Sequence, residues 1–277
     1  MGLLVNTNME AIKIHTTLGR TNTRVADSLL RLSSGLRVNS AKDDAAGFAT
    51  ANSFSSKISS MRVASQNATE AQSVLQTADG AYTQIHDILN RMKSLATQAA
   101  SGQTSDNQMT VHNEFRSLIE EIDRIANSTK YGSTTLVNGS GASTSGITFQ
   151  IGATNASENQ IAISFKGATA ACLGLDYRAL SQFTYAQEAM DAVDSALTSI
   201  NTYMGEVGAY QNRLQYTIQN LSIGIENYSA SESAIRDVDM ATEISTFTKN
   251  QILQQSGMAM LSQANQAPQQ ILSLLKG

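Results

Sequence analysis

The sequence contains no tryptophan, one proline and one cysteine in 277 residues, and only 15% of its residues are charged. With so few large aromatic side chains, the chain is poorly supplied for a wide globular core, although its many alanines and serines allow helices to pack closely. The scarcity of proline favours long helices, because proline interrupts helical hydrogen bonding. Cys172 has no second cysteine with which to form a disulfide within the chain.

The charge of the chain is weak and scattered. The formal net charge is −4, and no run of like charges reaches five residues. Binding to nucleic acid requires a concentrated basic surface, so we expect no nucleic-acid partner. No apolar stretch approaches the ~20 residues needed to cross a bilayer, so we expect no membrane insertion. The first residues, Met1–Asn6, also lack the basic and apolar segments of a cleaved signal peptide.

A long helix is predicted by the spacing of apolar residues over residues 45–100. Between Ala68 and Ala99, ten successive positions spaced three and four residues apart are apolar or aromatic, which is typical of a coiled-coil seam. An uninterrupted helix of this length would measure about 80 Å at about 1.5 Å per residue. Such a length exceeds the core of a compact domain of this size, so the pattern predicts a rod.

Shorter patterns describe the rest of the chain. After a turn predicted at residues 101–106, a second helix carries apolar residues from Val111 to Ile125, and a third runs from Ala186 to Ile235. Period-two alternation in residues 147–151 and 161–165 predicts a β-hairpin, which we expect to be the only sheet. The sequence thus predicts a mainly α fold: a rod of long antiparallel helices with coiled-coil packing and one small β-hairpin.

The two ends of the chain differ from its middle. Residues 3–32 and the segment after Met240 carry apolar residues on more than one side of a predicted helix. Such helices must be buried on several sides, and two of them cannot cover each other completely. The interspersed Gln, Asn and Ser residues favour contacts with protein over contacts with hydrocarbon. We therefore predict paired terminal helices that need further copies of the chain.

No pattern of catalytic or ligand-binding residues stands out. His15, His86 and His112 lie in no metal-ligand spacing. The segment Gly139-Ser140-Gly141 lacks the third glycine of a dinucleotide-binding loop. The acidic pair Asp43-Asp44 is better explained as a helix start, where carboxylates complement the helix dipole. We predict no catalytic site, no cofactor and no metal, and hence no enzyme.

Several strings of residues resemble one known family. Residues 32–47, LSSGLRVNSAKDDAAG, resemble the N-terminal signature of bacterial flagellin almost letter for letter. Residues 251–257 (QILQQSG), 262–266 (SQANQ) and 271–275 (ILSLL) resemble the C-terminal signature, and residues 121–124 and 150–153 match two further stretches. The resemblance covers essentially the whole chain. It implies a structural subunit that polymerises into the bacterial flagellar filament for swimming motility.

The resemblance also implies a division into domains. Residues 1–33 and 240–277 would form the inner-tube helices (D0), residues 34–46 a spoke linker, and residues 47–235 the outer helical rod (D1). The rod would include a β-hairpin region at about residues 131–175, with no D2 or D3 domain inserted after it. The residues expected to pack in the filament core are Leu3, Leu4, Val5, Ile12, Leu29, Leu32, Ile244, Phe247, Ile252, Leu253, Leu261, Ile271, Leu274 and Leu275. The residues expected in the spoke are Ser33, Ser34, Gly35, Arg37, Asn39, Lys42, Asp43 and Asp44.

The same resemblance implies partners and a location. The subunit would be exported by the flagellar export apparatus with an export chaperone, without a cleaved signal peptide, and would act outside the cell. Its partners would be copies of itself, the filament cap and the hook-associated proteins. In many flagellins a further surface is recognised by the flagellin-sensing Toll-like receptor of animals, and here the matching positions are Arg91, Leu95 and Glu114. Ser94 stands where Glu is common, and Thr97 where Val is common.

Three other interpretations remain open at the level of sequence. A hook–filament junction protein shares the pattern of the flagellin ends. An enzyme-bearing flagellin would need a central insertion and a metal motif, which this chain lacks. An amphipathic membrane-active protein would need terminal segments with fewer interspersed polar residues.

Overall fold

The computed structural model describes residues 7–101, 105–140, 146–175 and 183–275, except for the side chains of residues 105–107, 183, 184 and 267–275. Helices dominate these residues: α1 (Met9–Ser34), α2 (Ala45–Ala99), α3 (Ser105–Ser128), α4 (Phe183–Arg236) and α5 (Met240–Leu275). The strands are short: β1 (Lys130–Tyr131), β2 (Thr134–Thr135), β3 (Ile147–Gln150) and β4 (Gln160–Ile163). The prediction of a mainly α fold with long paired helices is confirmed.

The chain divides into two compact units. We call them the central unit (Lys57–Glu226) and the terminal unit (Met1–Ser56 with Asn227–Gly277). The boundaries between these units lie within α2 and α4. The domain limits predicted at residues 47 and 235 concern the assembled filament, and they stay a prediction.

In the central unit, α2 and α4 run antiparallel and share the predicted seam. Lys93 of α2 pairs with Asp194 of α4 at 2.6 Å, while Tyr82 lies beside Tyr203 with ring centroids 5.9 Å apart. All ten predicted seam positions of α2, from Ala68 to Ala99, are at most 2% exposed. Five of the ten are alanines, so the helix backbones can approach closely.

Helix α3 packs against α2 and begins earlier than the sequence suggests. Phe115 and Ile122 lie in the same core as the α2 seam, at 3% and 0% exposure. The turn predicted at residues 101–106 is wrong for its last two residues, because α3 already begins at Ser105. Serine and aspartate are favoured at the N-termini of helices, so Ser105 and Asp106 start the helix and do not extend the turn.

The central unit contains two small antiparallel strand pairs. In the first, β3 pairs with β4 with Ile147 opposite Ile163, so the two predicted hairpin strands are confirmed. In the second, β1 pairs with β2 across a turn in which Gly132 has a φ of 60°. The expectation of a single sheet is therefore wrong. Strands of two residues are too short to show a period-two alternation in sequence.

The segment that follows β4 is part of the core. Phe165 and Ala168 are 1% and 0% exposed. The amide of Ala168 donates to the carbonyl oxygen of Val137 at 2.7 Å. The amide of Ala170 donates to Oδ1 of Asp123 on α3 at 2.8 Å. These bonds fix the irregular segment against the helices although it forms no strand of its own.

Candidate assembly surfaces

In the terminal unit, α1 and α5 form an antiparallel pair with its own seam. Nδ2 of Asn8 donates to the carbonyl oxygen of Ala264 at 2.8 Å, and Arg31 lies near Glu243 with an Nη1–Oε2 distance of 3.8 Å. Apart from Asp27 and Arg31, which are also half-buried, the buried and half-buried residues of both helices recur at spacings of three and four. They are Ala11, Ile14, Leu18, Thr21, Val25, Ser28 and Leu32 on α1, and Glu243, Phe247, Asn250, Gln254, Gly257, Leu261 and Ala264 on α5.

The most deeply buried side chains of this pair are polar. Among the described side chains of α1 and α5, those that are fully buried are Thr21 (8% exposed), Ser28 (4%), Glu243 (8%) and Asn250 (7%). The apolar seam residues are only half-buried. These four residues were not predicted from the sequence, although their heptad spacing, 21 to 28 and 243 to 250, is visible there.

Many large apolar side chains of α1 and α5 are exposed outside the seam. Of the residues predicted to pack in the filament core, Ile12, Leu29, Ile244, Ile252 and Leu253 are between 46% and 58% exposed. Further exposed apolar residues on the two helices are Met9, Leu30, Met240, Met258 and Met260. The pair therefore presents large apolar side chains to solvent in addition to those on its seam, as expected for helices that need further partners.

The remaining predicted core residues fall into two groups. Leu32, Phe247 and Leu261 lie half-buried on the α1–α5 seam, so they contact the partner helix of the same chain. Residues 3–5 lie outside the described part of the chain, as do the side chains of Ile271, Leu274 and Leu275 at the end of α5.

Two connectors in the terminal unit are bonded to each other. One is residues 35–44, between α1 and α2, and the other is residues 237–239, between α4 and α5. Gly35 ends α1 in the left-handed conformation, with a φ of 71°, which a glycine adopts without strain. Its carbonyl oxygen accepts from the amide of Val238 at 3.0 Å, and Leu36 forms a β-bridge with Asp237. Nη2 of Arg37 donates to the carbonyl oxygen of Ile235 at 2.8 Å.

The carboxylates of the connectors cap turns and helices. Oδ2 of Asp43 accepts from the amide and the hydroxyl of Ser40, both at 3.0 Å, and these bonds lower the pKa of Asp43 below its usual value. Oδ1 of Asp44 accepts from the amide of Gly47 at 2.9 Å at the start of α2. Bonds from the amide and hydroxyl of Thr242 likewise lower the pKa of Asp239 at the start of α5. Of the two predicted spoke acids, Asp44 thus caps the start of α2, whereas Asp43 caps the turn that precedes it.

The other predicted spoke residues are exposed or half-buried. Ser33, Ser34 and Lys42 are exposed, while Asn39 is half-buried. Oγ of Ser34 accepts from the amide of Leu36 at 3.2 Å. The amide of Asn39 donates to Oδ2 of Asp43 at 3.3 Å. These short-range bonds give the connector between α1 and α2 a defined conformation.

The three residues matched to receptor binding are placed differently from one another. Arg91 donates through Nε and Nη2 to Oε1 of Glu114, at 2.8 and 2.6 Å, and the two side chains are 57% and 41% exposed. Leu95 is 1% exposed and lies in the core of the central unit. Of these three residues, only Arg91 and Glu114 therefore have side chains that another molecule could contact.

Within the described residues, no group of three or more His, Cys, Asp or Glu side chains is placed to hold a metal ion. Nor does any helix in that part of the chain carry an apolar stretch long enough to cross a membrane.

Both ends of the sequence match models of known protein families. The sequence matches the family model of the bacterial flagellin N-terminal helical region over residues 5–142, and that of the bacterial flagellin C-terminal helical region over residues 190–275. The chain belongs to the bacterial flagellin family. Flagellins are structural subunits of the extracellular flagellar filament, which serves motility, and they are not enzymes.

Curated relatives match over nearly their full length. The chain is 37% identical to a flagellin of Halalkalibacterium halodurans over 275 residues, covering 99% of this chain and 100% of that protein. It is 38% identical to the flagellar filament 33 kDa core protein of Treponema phagedenis over 288 residues, with the same coverage. It is 37% identical to a flagellin of Bacillus subtilis over 304 residues, covering 98% of this chain and 99% of that one.

Solved structures give the same result for the fold. The crystal structure of Bacillus cereus flagellin aligns with a TM-score of 0.50 at 28% identity, covering 56% of this chain and 88% of that one. A putative flagellar hook-associated protein from Vibrio parahaemolyticus aligns with a TM-score of 0.61 over 70% of this chain and 100% of that one. Its sequence identity is 13%, so this second likeness concerns the fold alone.

Proposed function

We propose that copies of this flagellin polymerise through the outward faces of α1 and α5, which together form the inner tube of the filament. In this arrangement residues 1–33 and 240–277 act as D0, residues 34–46 as the spoke and residues 47–235 as D1. The observation that supports it most directly is the exposure of large apolar side chains on these outward faces. Ile12, Leu29 and Ile252 are each more than half exposed.

The energetics of burial favour such contacts. Burying apolar surface contributes roughly 25 cal/mol per Å², or about 1.5–3 kcal/mol for a fully buried Leu or Ile side chain. Ordering the side chains that make the contact offsets part of this gain. Several apolar residues on each helix are available, so contacts with more than one neighbouring copy would together exceed the loss.

The proposal is tested by placing a charge on the outward face. Ile252→Glu removes an apolar contact and would bury a carboxylate between subunits, so elongation from filament seeds should slow by about tenfold or more. Ile223→Glu on α4 is the matched control, because Ile223 is equally exposed at 58% and undergoes the same chemical change. We expect Ile223→Glu to retain most of the elongation rate measured by light scattering.

Two results would contradict this assignment. Elongation of Ile252→Glu at the parental rate would show that the outward face of α5 is not an assembly contact. Failure of the parent protein itself to extend seeds into long filaments, seen by electron microscopy, would favour a hook–filament junction protein. Circular dichroism of each variant checks that its helices remain folded.

We further propose that the chain leaves the cell through the flagellar export apparatus with an export chaperone, without removal of a signal peptide. It would then add beneath the filament cap and join the hook-associated proteins at the base. Family membership and the exposed apolar faces, which need cover before assembly, support this proposal. Mass spectrometry of filament protein should find the N-terminal residues retained, and a chain shortened there by a signal-peptide length would contradict it.

The exposed Arg91–Glu114 pair supports a second proposal, recognition by the flagellin-sensing Toll-like receptor of animals. Arg91→Ala should reduce the potency of the monomer in receptor reporter cells by about tenfold or more, as for a central interface residue. Arg116→Ala is the control, because Arg116 is also exposed and ion-paired, with Glu120 at 3.3 Å on α3. The absence of any response to the parent protein, at doses where a standard flagellin saturates, would refute the proposal.

A further inference from the structure

Exposed methionines are concentrated on the two helices of the terminal pair. Within the described part of the chain, the methionines that are at least 44% exposed are Met9, Met109, Met240, Met258 and Met260. Met109 lies on α3, whereas the other four lie on α1 or α5. Oxidation converts the apolar thioether of methionine into a polar sulfoxide. The outward faces of this pair therefore carry groups whose polarity can change after the chain has folded.

Two of these methionines lie within α5, away from its start. Met9 and Met240 are the first residues of their helices, whereas Met258 and Met260 lie near the middle of α5. Side chains two positions apart point about 160° apart around a helix axis, so these two flank the seam on opposite sides. Met260 also lines a groove between α1 and α5 together with Leu253. A second copy that covers either flank of α5 would bury one of the two thioethers.

Few other side chains of this protein compete for an oxidant. The sequence has no tryptophan and a single cysteine, Cys172. Met92 is 0% exposed in the core of the central unit, so the fold shields it. Met258 and Met260 are 52% and 59% exposed, so a small oxidant reaches both in the free subunit.

We propose that Met258 and Met260 form an oxidation site at which a peroxide blocks assembly of the subunit. The sulfur lone pair attacks one oxygen of hydrogen peroxide, an S–O bond forms and the O–O bond breaks. The departing hydroxide takes the proton from the transferred oxygen and becomes water. Sulfur loses two electrons and the peroxide gains them, so the products are a sulfoxide and water.

The sulfoxides change what the outward faces of α5 offer to a second copy. Each oxidation removes an apolar contact and adds a polar oxygen, which is costly to bury without a hydrogen-bond partner. Leucine at the same positions keeps an apolar side chain of similar volume and has no sulfur to oxidise. The inference rests on the proposed function, because the sulfoxides matter only where the outward faces of α5 become buried between copies.

The test measures seeded elongation of the full chain before and after treatment of the subunits with dilute hydrogen peroxide. All proteins carry Cys172→Ser, which removes the competing thiol. The test variant carries Met258→Leu with Met260→Leu. The control is Met109→Leu, because Met109 is 62% exposed but lies on α3. Each treated rate is divided by the untreated rate of the same protein, so any effect of leucine itself cancels.

Oxidation should slow the parent and the Met109→Leu control by about tenfold or more, because two apolar contacts are lost and two polar groups are buried. The variant with leucine at both α5 positions should retain most of its own untreated rate. Peptide mass spectrometry measures the sulfoxide at each methionine. Methionine sulfoxide reductases with a dithiol should restore the oxidised parent, since the dithiol becomes a disulfide while the sulfoxide oxygen leaves as water.

Three outcomes would overturn the inference. The first is an undiminished rate for the parent although both Met258 and Met260 are oxidised. The second is an equal loss in the double leucine variant, which would place the damage at other residues. The third is a rate that stays low after the reductases have removed the sulfoxides. Failure of the proposed function appears instead in untreated protein, as elongation of Ile252→Glu at the parental rate.

Discussion

The hydroxyl of Tyr82 on α2 donates a hydrogen bond to the carbonyl oxygen of Lys166 at 2.7 Å and accepts one from the amide of the same residue at 3.1 Å. Tyr82 is 0% exposed and occupies a position of the apolar seam. A second side chain of α2 acts similarly, because Nδ2 of Asn67 donates to the carbonyl oxygen of Gln150 at 2.9 Å. Polar side chains of the long helix thus hold the hairpin region in place.

Replacing Tyr82 with phenylalanine should destabilise the central unit. Tyr82→Phe removes the buried hydroxyl that bonds to both the amide and the carbonyl oxygen of Lys166. The free energy of unfolding should therefore fall by about 1–3 kcal/mol. Urea denaturation followed by circular dichroism measures this change. Tyr216→Phe is the control, because Tyr216 is 72% exposed and its substitution should leave the midpoint nearly unchanged. Equal midpoints for Tyr82→Phe and the parent would show that the bonds contribute nothing net.

The raised pKa of Tyr82 leads us to expect a loss of stability at alkaline pH. Burial raises the pKa of Tyr82 well above its usual value, and this effect outweighs the hydrogen bond to the Lys166 backbone, which lowers it. The folded state therefore keeps the proton at a pH where the unfolded state has released it. Stability is fully present below the unfolded pKa of about 10 and falls as the pH rises beyond it. Thermal unfolding between pH 8 and 11 should show a shallower decline for Tyr82→Phe than for the parent.

Two substitutions on α2 should differ sharply although their sites are four residues apart. Leu89 is 0% exposed, so Leu89→Ala removes core packing and should cost about 2–5 kcal/mol. Lys93 pairs with Asp194 at 2.6 Å, but the two side chains are 44% and 50% exposed, so Lys93→Ala should cost less than about 1 kcal/mol. Chemical denaturation of both variants gives the ranking, and a larger loss for Lys93→Ala would contradict it.

The side chain of Arg37 should slow hydrogen exchange of the backbone amides that join the two connectors. Its amide donates to the carbonyl oxygen of Arg236 at 2.5 Å, and its guanidinium donates to that of Ile235 at 2.8 Å. Arg37→Ala removes the side-chain bond, so the amides of Arg37 and Val238 should exchange about threefold to tenfold faster. Hydrogen exchange with peptide mass spectrometry measures this. Lys42→Ala, on the same connector, should leave these amides unchanged, and equal effects of both variants would mean that the guanidinium bond is irrelevant.

The long helices were predictable because their signal is repeated many times. Each heptad of α2 independently indicates the same buried face, and every predicted seam position from Ala68 to Ala99 is buried. The strands β3 and β4 are just long enough to alternate. By contrast, β1 and β2 have two residues each, and the bridge between Leu36 and Asp237 joins positions far apart in sequence. Neither carries a local pattern that sequence analysis could detect.

The candidate surfaces were predictable in kind but not in detail. The sequence indicates that both terminal helices are apolar on several sides, and residues such as Ile12 and Ile252 are exposed as that interpretation requires. It does not show which face of each helix meets the other, because that depends on the pairing. The burial of Glu243 and Asn250 therefore could not be inferred from apolarity alone. Leu95 shows the same limit, since a spacing of four from Arg91 does not distinguish a buried from an exposed position.

The outward apolar residues of α1 and α5 affect how a polymer would start. Adjacent positions such as Ile252 and Leu253 point about 100° apart around the helix axis, so one neighbouring copy covers only part of this surface. Two or three subunits together would gain little, whereas a copy joining an existing end would be covered on several sides at once. Growth from free subunits should therefore show a critical concentration and a lag phase, and short preformed fragments should abolish the lag.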